Sequence, residues 1–195
     1  MALRLFLFLF PLFFLNIVSA TNELDSLKQQ YYKASTSDER YQIAYEIAKK
    51  LISSEPDSAM KYISDAVKDS AQNRQSNYLA NCLNAYAVHY IYTGQYDSCL
   101  HFASRALKIF SLNMDTASSI TPRKNIAIAS QRLGDYQLAT NAFFKIIEYH
   151  KSRNEAIKTA ATLNDLGNTY IYIEDYELAI KYQKEALSYL SVEKN

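Results

Sequence analysis

The sequence resembles itself when it is shifted by forty residues. The clearest copies surround a short turn, in the segments 92–97, 131–137 and 172–177, with a fainter copy at 53–57. Within one copy, Ala59, Tyr62 and Ala66 are three and four residues apart, which is the spacing of one helix face. The same columns recur in each copy, as Ala59, Cys99, Ala139 and Ala179, and as Ala66, Ala106, Ile146 and Ala186. A fixed period of this length is typical of stacked helical repeats.

Small residues also form a column upstream of each turn, at Ala87, Ala127 and Gly167, with Ile47 in the first copy. Because a small side chain lets two helix backbones approach closely, the two small columns predict that the helices before and after each turn pack together. Each copy is therefore interpreted as a helix, a tight turn and a second helix.

The residues at the turns agree with this interpretation. Gly94 and Gly134 suit the left-handed conformation that ends a helix, and Asp135 and Asp175 can cap the helix that follows. Pro56 is expected in the first turn of a helix, where no amide partner is lost. Thr121–Pro122 predicts another helix start for the same reason.

The predicted fold is all-α, an α-solenoid of antiparallel helix pairs. With three glycines and three prolines in 195 residues, the composition favours long helices. Four repeats are expected between residues 38 and 191, preceded by an N-terminal capping helix over 21–37 and followed by a tail over 192–195. The repeats are bounded at about 38–77, 78–117, 118–157 and 158–191.

The stretch from Leu163 to Tyr170, continuing through Asp175–Ile180 to Leu187, resembles the tetratricopeptide repeat family. The resemblance extends from about residue 38 to 191 and is weakest in the first copy. It implies a superhelix of helix pairs that binds proteins or peptides on the concave surface formed by the first helices. The family period is about 34 residues, so forty residues require longer helices or looser linkers.

The first twenty residues form a predicted signal peptide. Arg4 precedes an apolar run from Leu5 to Leu15, and Val18 and Ala20 fit cleavage between Ala20 and Thr21. An uncleaved membrane anchor is the alternative, although the run is shorter than the ~20 residues that span a bilayer. Either reading places the mature chain outside the cytoplasm, in the periplasm or secreted.

The charge of the chain disfavours nucleic acid and anionic membranes as partners. The chain has 21 basic and 20 acidic residues and loses Arg4 with the leader, which leaves 20 of each. A membrane partner is expected only if the leader is retained or if a further segment follows residue 195.

Catalytic, metal-binding and cofactor-binding patterns are absent from the sequence. His89, His101 and His150 are too scattered for a metal site, and there is no glycine-rich phosphate loop or nucleophile elbow. Cys82 would lie ~12 Å along the helix from the position opposite Cys99, so a disulfide is not expected and both are predicted to be small buried thiols. No cofactor is predicted, and an enzyme is the least favoured function.

The family resemblance places a partner-binding groove on the first helix of each repeat. The polar residues predicted there are Asn81, Asn84, Lys124, Gln131, Asn164 and Asn168. Asparagine amides both donate and accept, so they can bind a peptide backbone. Some relatives clamp a terminal carboxylate at these columns, but Val88 and Ile128 replace two of the polar clamp residues, so that clamp is not predicted.

The sequence leaves two further readings open. With only 192–195 after the last helix, the final repeat would lack a cap, so the chain could be the periplasmic sensory segment of a longer membrane-anchored signalling or transcriptional regulator. The third reading is an enzyme on a helical-repeat scaffold. Oligomeric state and partner identity are not encoded in any recognisable pattern.

Overall fold

The computed structural model describes residues 23–68 and 75–192, and these ranges form α-helices joined by short turns, without a β-strand. None of these helices is both long enough and apolar enough to cross a lipid bilayer. The predicted leader, residues 1–20, lies outside the described ranges. The helices are α1 (23–33), α2 (Ser37–Leu51), α3 (Pro56–Lys68), α4 (Asn77–Tyr92), α5 (Tyr96–Leu112), α6 (Thr116–Leu133), α7 (Tyr136–Ser152), α8 (Ala156–Tyr172) and α9 (Tyr176–Val192).

The chain divides into two compact units, residues 1–82 and 83–195, with the boundary inside α4. We call them the N-terminal and the C-terminal unit. In each repeat, the helix before the tight turn is the first helix (α2, α4, α6, α8) and the helix after it is the second helix (α3, α5, α7, α9).

The N-terminal unit is held by the packing of α2 against α3 and by an aromatic contact from α1. Tyr41 and Ile47 of α2 and Ile63 of α3 are completely buried. The rings of Tyr31 and Tyr62 meet edge to face, with centroids 5.2 Å apart. Burial raises the pKa of Tyr31 to about 12, so this hydroxyl stays protonated at physiological pH.

The core of the C-terminal unit runs along its helices, from one pair to the next. Ala87, Cys99 and Ala103 of the second repeat pack with Ile126 and Ala129 of α6. A second cluster joins the third and fourth repeats, and its buried members are Ala127, Ala142, Phe143, Ile146, Ile147, Ala160, Leu163, Leu166 and Ala186. Helix α6 thus packs against both the repeat before it and its own second helix.

The small columns lie where the helices of a pair approach each other. Cys99, Ala139 and Ala179 are all buried. A Cβ atom added at Gly167 would lie 3.2 Å from the carbonyl oxygen of Ala179 and 2.9 Å from Cγ of Gln183. That distance is shorter than side-chain atoms tolerate, so α8 and α9 meet through these two small residues. The predicted close packing of helix pairs is confirmed.

Longer helices account for the forty-residue period. Helix α6 has 18 residues and α7 has 17, with two residues between them and three before α8. Helices α5, α8 and α9 also have 17 residues each. From α4 to α9 the linkers have two or three residues, so the additional residues of these repeats lie in the helices, whereas α2 and α3 have only 15 and 13 residues.

The predicted turn chemistry is confirmed. Gly94 and Gly134 have φ of 72° and 83°, in the left-handed region that favours glycine. Asp135 accepts a hydrogen bond from the Leu138 amide, and Asp175 accepts one from the Leu178 amide, both at 3.0 Å. Pro56 is the first residue of α3.

The prediction that a helix begins at Thr121–Pro122 is wrong. Helix α6 begins at Thr116, where Asp115 caps it by accepting a hydrogen bond from the Ser118 amide at 3.0 Å. Pro122 lies inside the helix and is buried. A proline there removes one backbone hydrogen bond, and the cap together with packing on both sides of α6 keeps the helix continuous.

Glu174 occupies the left-handed position that glycine holds in two other repeats, with φ of 64°. It is exposed. A non-glycine residue costs roughly 1–2 kcal/mol in this conformation, while glycine loses roughly 0.5–1 kcal/mol more backbone entropy on folding. We therefore expect Glu174→Gly to raise the free energy of unfolding by about 0.5–1 kcal/mol, as measured by urea denaturation. Gly134→Glu is the reciprocal control and should lower it by a similar amount; equal stability of both variants would contradict this account.

Candidate functional site

Side-chain hydrogen bonds join the first helices of successive repeats in the C-terminal unit. Asn125 Nδ2 donates to Asn84 Oδ1 at 2.8 Å, linking α4 to α6. Gln131 Nε2 donates to Thr169 Oγ1 at 2.9 Å, linking α6 to α8. Each bond spans about one repeat, 41 and 38 residues along the chain. The first helices are therefore direct neighbours and present one continuous surface.

An ion pair adds a third link between the same helices. Lys124 Nζ lies 3.1 Å from Asp165 Oδ2, and the two side chains are 46% and 34% exposed. A pair with this exposure contributes little stability, about 0–1 kcal/mol. Because the Lys124 side chain is 46% exposed and an ammonium group has three donors, Lys124 can still bind a second acceptor.

Four of the six predicted groove residues have a partner inside the protein. Asn84, Lys124 and Gln131 form the links above, and Asn168 Oδ1 accepts from Gln183 Nε2 at 3.3 Å. These contacts give the four side chains a structural role, which the sequence could not separate from ligand binding. Their contact with a ligand stays a prediction.

The other two predicted residues lie elsewhere. Asn81 is half-buried on the part of α4 that belongs to the N-terminal unit. Asn164 is exposed and lines a cavity of about 560 Å³ between α8 and α9, together with Gln183, Leu187 and Leu190. The six residues therefore do not form a single cluster.

Three exposed residues at the ends of the first helices were not predicted as part of the site. Tyr92 is 86% exposed and Tyr172 is 50% exposed. Arg132 is also exposed, and the three residues are spaced by forty. They lie one helical turn after Val88, Ile128 and Asn168, so they extend the same face of α4, α6 and α8. The forty-residue spacing was visible in the sequence, but their exposure required the structure.

A cavity of about 460 Å³ lies among α6, α7 and α8. Thr121 and Lys124 line it from α6, while Lys158 and Thr162 line it from α8. The Thr121 hydroxyl and the two ammonium groups can donate to a carbonyl or carboxylate oxygen, whereas the Thr162 hydroxyl already donates to the carbonyl oxygen of Lys158 at 2.9 Å. The cavity can therefore hold a polar or acidic side chain.

Glu155 lies at the edge of that cavity and ties α7 to α8. Its Oε2 is 2.6 Å from Nδ1 of the buried His150, and its Oε1 is 3.2 Å from Lys158 Nζ. The hydrogen bond from His150, followed by that from Lys158, holds the pKa of Glu155 below its ordinary value. Glu155 is thus ionised at neutral pH and partly balances the positive charge of the cavity.

The two cysteines are free and buried, as predicted. Cys82 donates to the carbonyl oxygen of Tyr41 at 3.3 Å, and Cys99 to that of Asn125 at 3.7 Å. Burial raises the pKa of both thiols, that of Cys99 to about 11. Because the thiolate is the nucleophilic form, neither side chain is placed for thiol chemistry at neutral pH.

Across residues 23–68 and 75–192, no group of three or more His, Cys, Asp or Glu side chains is arranged to hold a metal ion. The three histidines have separate environments. His89 and His101 each contact the aromatic ring of the next residue, and His150 pairs with Glu155.

Comparison with known proteins identifies the repeats. Residues 115–190 match the tetratricopeptide repeat family model. No curated protein sequence matches the chain. The resemblance to tetratricopeptide repeats inferred from the sequence is confirmed, and the third and fourth repeats are tetratricopeptide repeats.

Solved structures show the same fold over most of the chain. BtubC (BKLC) from P. vanneervenii is similar with a TM-score of 0.71 and 19% identity, covering 89% of this chain and 71% of that one. A kinesin light chain-like protein of Podosopora anserina with nearly identical TPR-like repeats is similar with a TM-score of 0.71 and 14% identity, covering 92% and 91%. At these identities the likeness establishes the α-solenoid fold.

Proposed function

We propose that the C-terminal unit binds a protein or peptide along the surface formed by α4, α6 and α8. The observation that carries this proposal is the exposed row Tyr92, Arg132 and Tyr172, which repeats once per helix pair on that surface. Tyrosine and arginine are enriched among the residues that dominate binding energy at protein interfaces. Large exposed aromatic side chains at a regular spacing are a feature that packing within the chain does not require.

The ligand should be mostly apolar, with one acidic group. Val88 and Ile128 are half-buried, so α4 and α6 present aliphatic side chains beside the row Tyr92, Arg132 and Tyr172. The cavity lined by Lys124 and Lys158 lies next to them and can receive a carboxylate. A peptide whose apolar side chains precede or follow one Asp or Glu fits this arrangement.

The test replaces Tyr92, Arg132 and Tyr172 together with alanine. These side chains are exposed, so the variant should fold like the wild type. Loss of three anchoring residues, each contributing roughly 1–2 kcal/mol, should weaken binding by at least about 100-fold. The measurement is affinity capture from cell-envelope extract, followed by titration of the purified partner by calorimetry.

The matched control replaces Ser104, Lys108 and Glu148, which are exposed on the second helices α5 and α7, with alanine. This variant should bind as tightly as the wild type. Binding that is unchanged in the first variant and lost in the control would move the ligand to the second helices and refute the proposal.

We also propose that the protein acts outside the cytoplasm, either in the periplasm or secreted. The support is the leader in the sequence, with its apolar run from Leu5 to Leu15 and Ala20 at the cleavage position. Mass analysis of the protein recovered from the envelope or the medium should give an N-terminus at Thr21. A full-length chain in the cytoplasm would contradict this proposal.

A further inference from the structure

The pair α8–α9 carries a face of exposed apolar side chains. On α9, Leu187 is 65% exposed, Ile180 is 53% and Leu190 is 43%. On α8, Ile157 is 59% exposed and Ile171 is 43%. Ile157, Leu187 and Leu190 line one cavity between the two helices, together with Asn164 and Gln183. We call the seven residues Ile157, Asn164, Ile171, Ile180, Gln183, Leu187 and Leu190 the terminal face.

Three of the α9 positions are covered by a helix one repeat earlier, whereas Ala117 and Lys124, in the columns of Ile157 and Asn164, are exposed. Ile147 and His150 stand forty residues before Leu187 and Leu190, and they are only 5% and 7% exposed, because α8 packs over α7. Phe143, in the column of Gln183, is 1% exposed. The α9 part of the terminal face therefore occupies positions at which the third repeat packs against a following helix.

The terminal face is symmetric along both of its helices. On α8 the order is Ile157, Asn164 and Ile171, with seven residues on each side of Asn164. On α9 the positions 180, 183, 187 and 190 are spaced by three, four and three, so they are symmetric about residue 185.

The midpoint on α8, at Asn164, and the midpoint on α9, at residue 185, lie at nearly the same level along the axis of the helix pair. Asn164 is ten residues before Glu174 at the centre of the turn, and residue 185 is eleven after it, a difference of ~1.5 Å along the helix axis. One two-fold axis lying in the face can therefore pass through both midpoints.

We infer that the terminal face is the contact surface of a homodimer, in which a second copy packs antiparallel about this axis. Ile157 then faces Ile171 of the second copy, and Ile180 faces Leu190. Gln183 faces Leu187, with its amide already bonded to Asn168 at 3.3 Å. Asn164 meets its own counterpart on the axis, where the two amides can hydrogen-bond to each other, a pairing that fixes register between helices.

Charge favours a second copy as the occupant. None of the seven residues is charged, and Glu185, level with the midpoint on α9, pairs with Lys151 of α7 at 2.8 Å. The two-fold therefore brings no like charges of the seven residues together. In the third repeat the residue in the column of Asn164 is Lys124, which would place two ammonium groups against each other. The second repeat has Asn84 in this column, and its amide oxygen already accepts from Asn125 at 2.8 Å. Among the described repeats, the fourth combines an exposed neutral amide at this position with Ile157 and Ile171 seven residues to either side.

The area of the face agrees with a weak dimer. Seventeen-residue helices are ~25 Å long and a pair is ~20 Å wide, so each copy covers ~500 Å². The total of ~1,000 Å² is at the lower limit for a specific interface. Dissociation in the micromolar range is expected.

Sedimentation equilibrium of the purified protein between about 1 and about 200 µM tests the dimer, since this range brackets the affinity of a small interface. The wild type should convert from monomer to dimer. Leu187→Lys buries two ammonium groups at the interface and should weaken association by at least about 100-fold. Leu112→Lys, at a residue 56% exposed on α5, is the matched control and should dimerise like the wild type. Circular dichroism checks that both variants are folded.

The register is tested by Asn164→Cys, which places two thiols on the axis. Mild oxidation should link this variant into a covalent dimer, whereas Asn141→Cys, exposed on α7, should stay unlinked. Cys82 and Cys99 are buried and do not compete. A wild type that is monomeric at all concentrations would overturn the proposal. A dimer insensitive to Leu187→Lys, or Asn164→Cys that fails to cross-link, would overturn it as well.

Discussion

Every described helix pair depends on a buried small residue where the two helices meet. Ala59, Cys99, Ala139 and Ala179 hold this position in the four repeats, and Ala87, Ala127 and Gly167 hold a second small column on the first helices of the last three. Close backbone approach at these residues sets the spacing at which larger side chains such as Phe143 and Leu163 fill the core. The two core clusters of the C-terminal unit include these small residues and therefore depend on this contact.

The residues that link repeats and the residues offered to a ligand are different sets on the same helices. Asn84, Gln131 and Thr169 form hydrogen bonds within the protein, while Tyr92, Arg132 and Tyr172 are exposed to solvent towards the carboxyl ends of the same helices. Lys124 belongs to both sets, since it pairs with Asp165 and also lines the cavity next to α8. Substitutions at the exposed positions can therefore change which ligand binds without breaking the hydrogen bonds between repeats.

Local rules and periodicity were sufficient to predict most of the fold. The forty-residue columns located the helix pairs, and Gly134 and Asp135 marked a turn through preferences that depend on few neighbours. Pro122 was misread because its burial and the stronger cap at Asp115 override the local preference of proline. The site was harder to predict, because Asn84 and Gln131 look like free polar residues until their partners on the next helix are known. The proposed pairing of the terminal face depends on the relative level of α8 and α9 along their common axis, which the sequence alone does not give.

We propose that the ligand binds the first helices and not the second helices. Site-specific photo-cross-linking tests this most directly, with a benzophenone side chain at exposed Thr121 of α6 or at exposed Lys145 of α7. Cross-linking to the captured partner from position 121 and none from position 145 is the result that the account predicts. Efficient cross-linking from position 145 alone would contradict it.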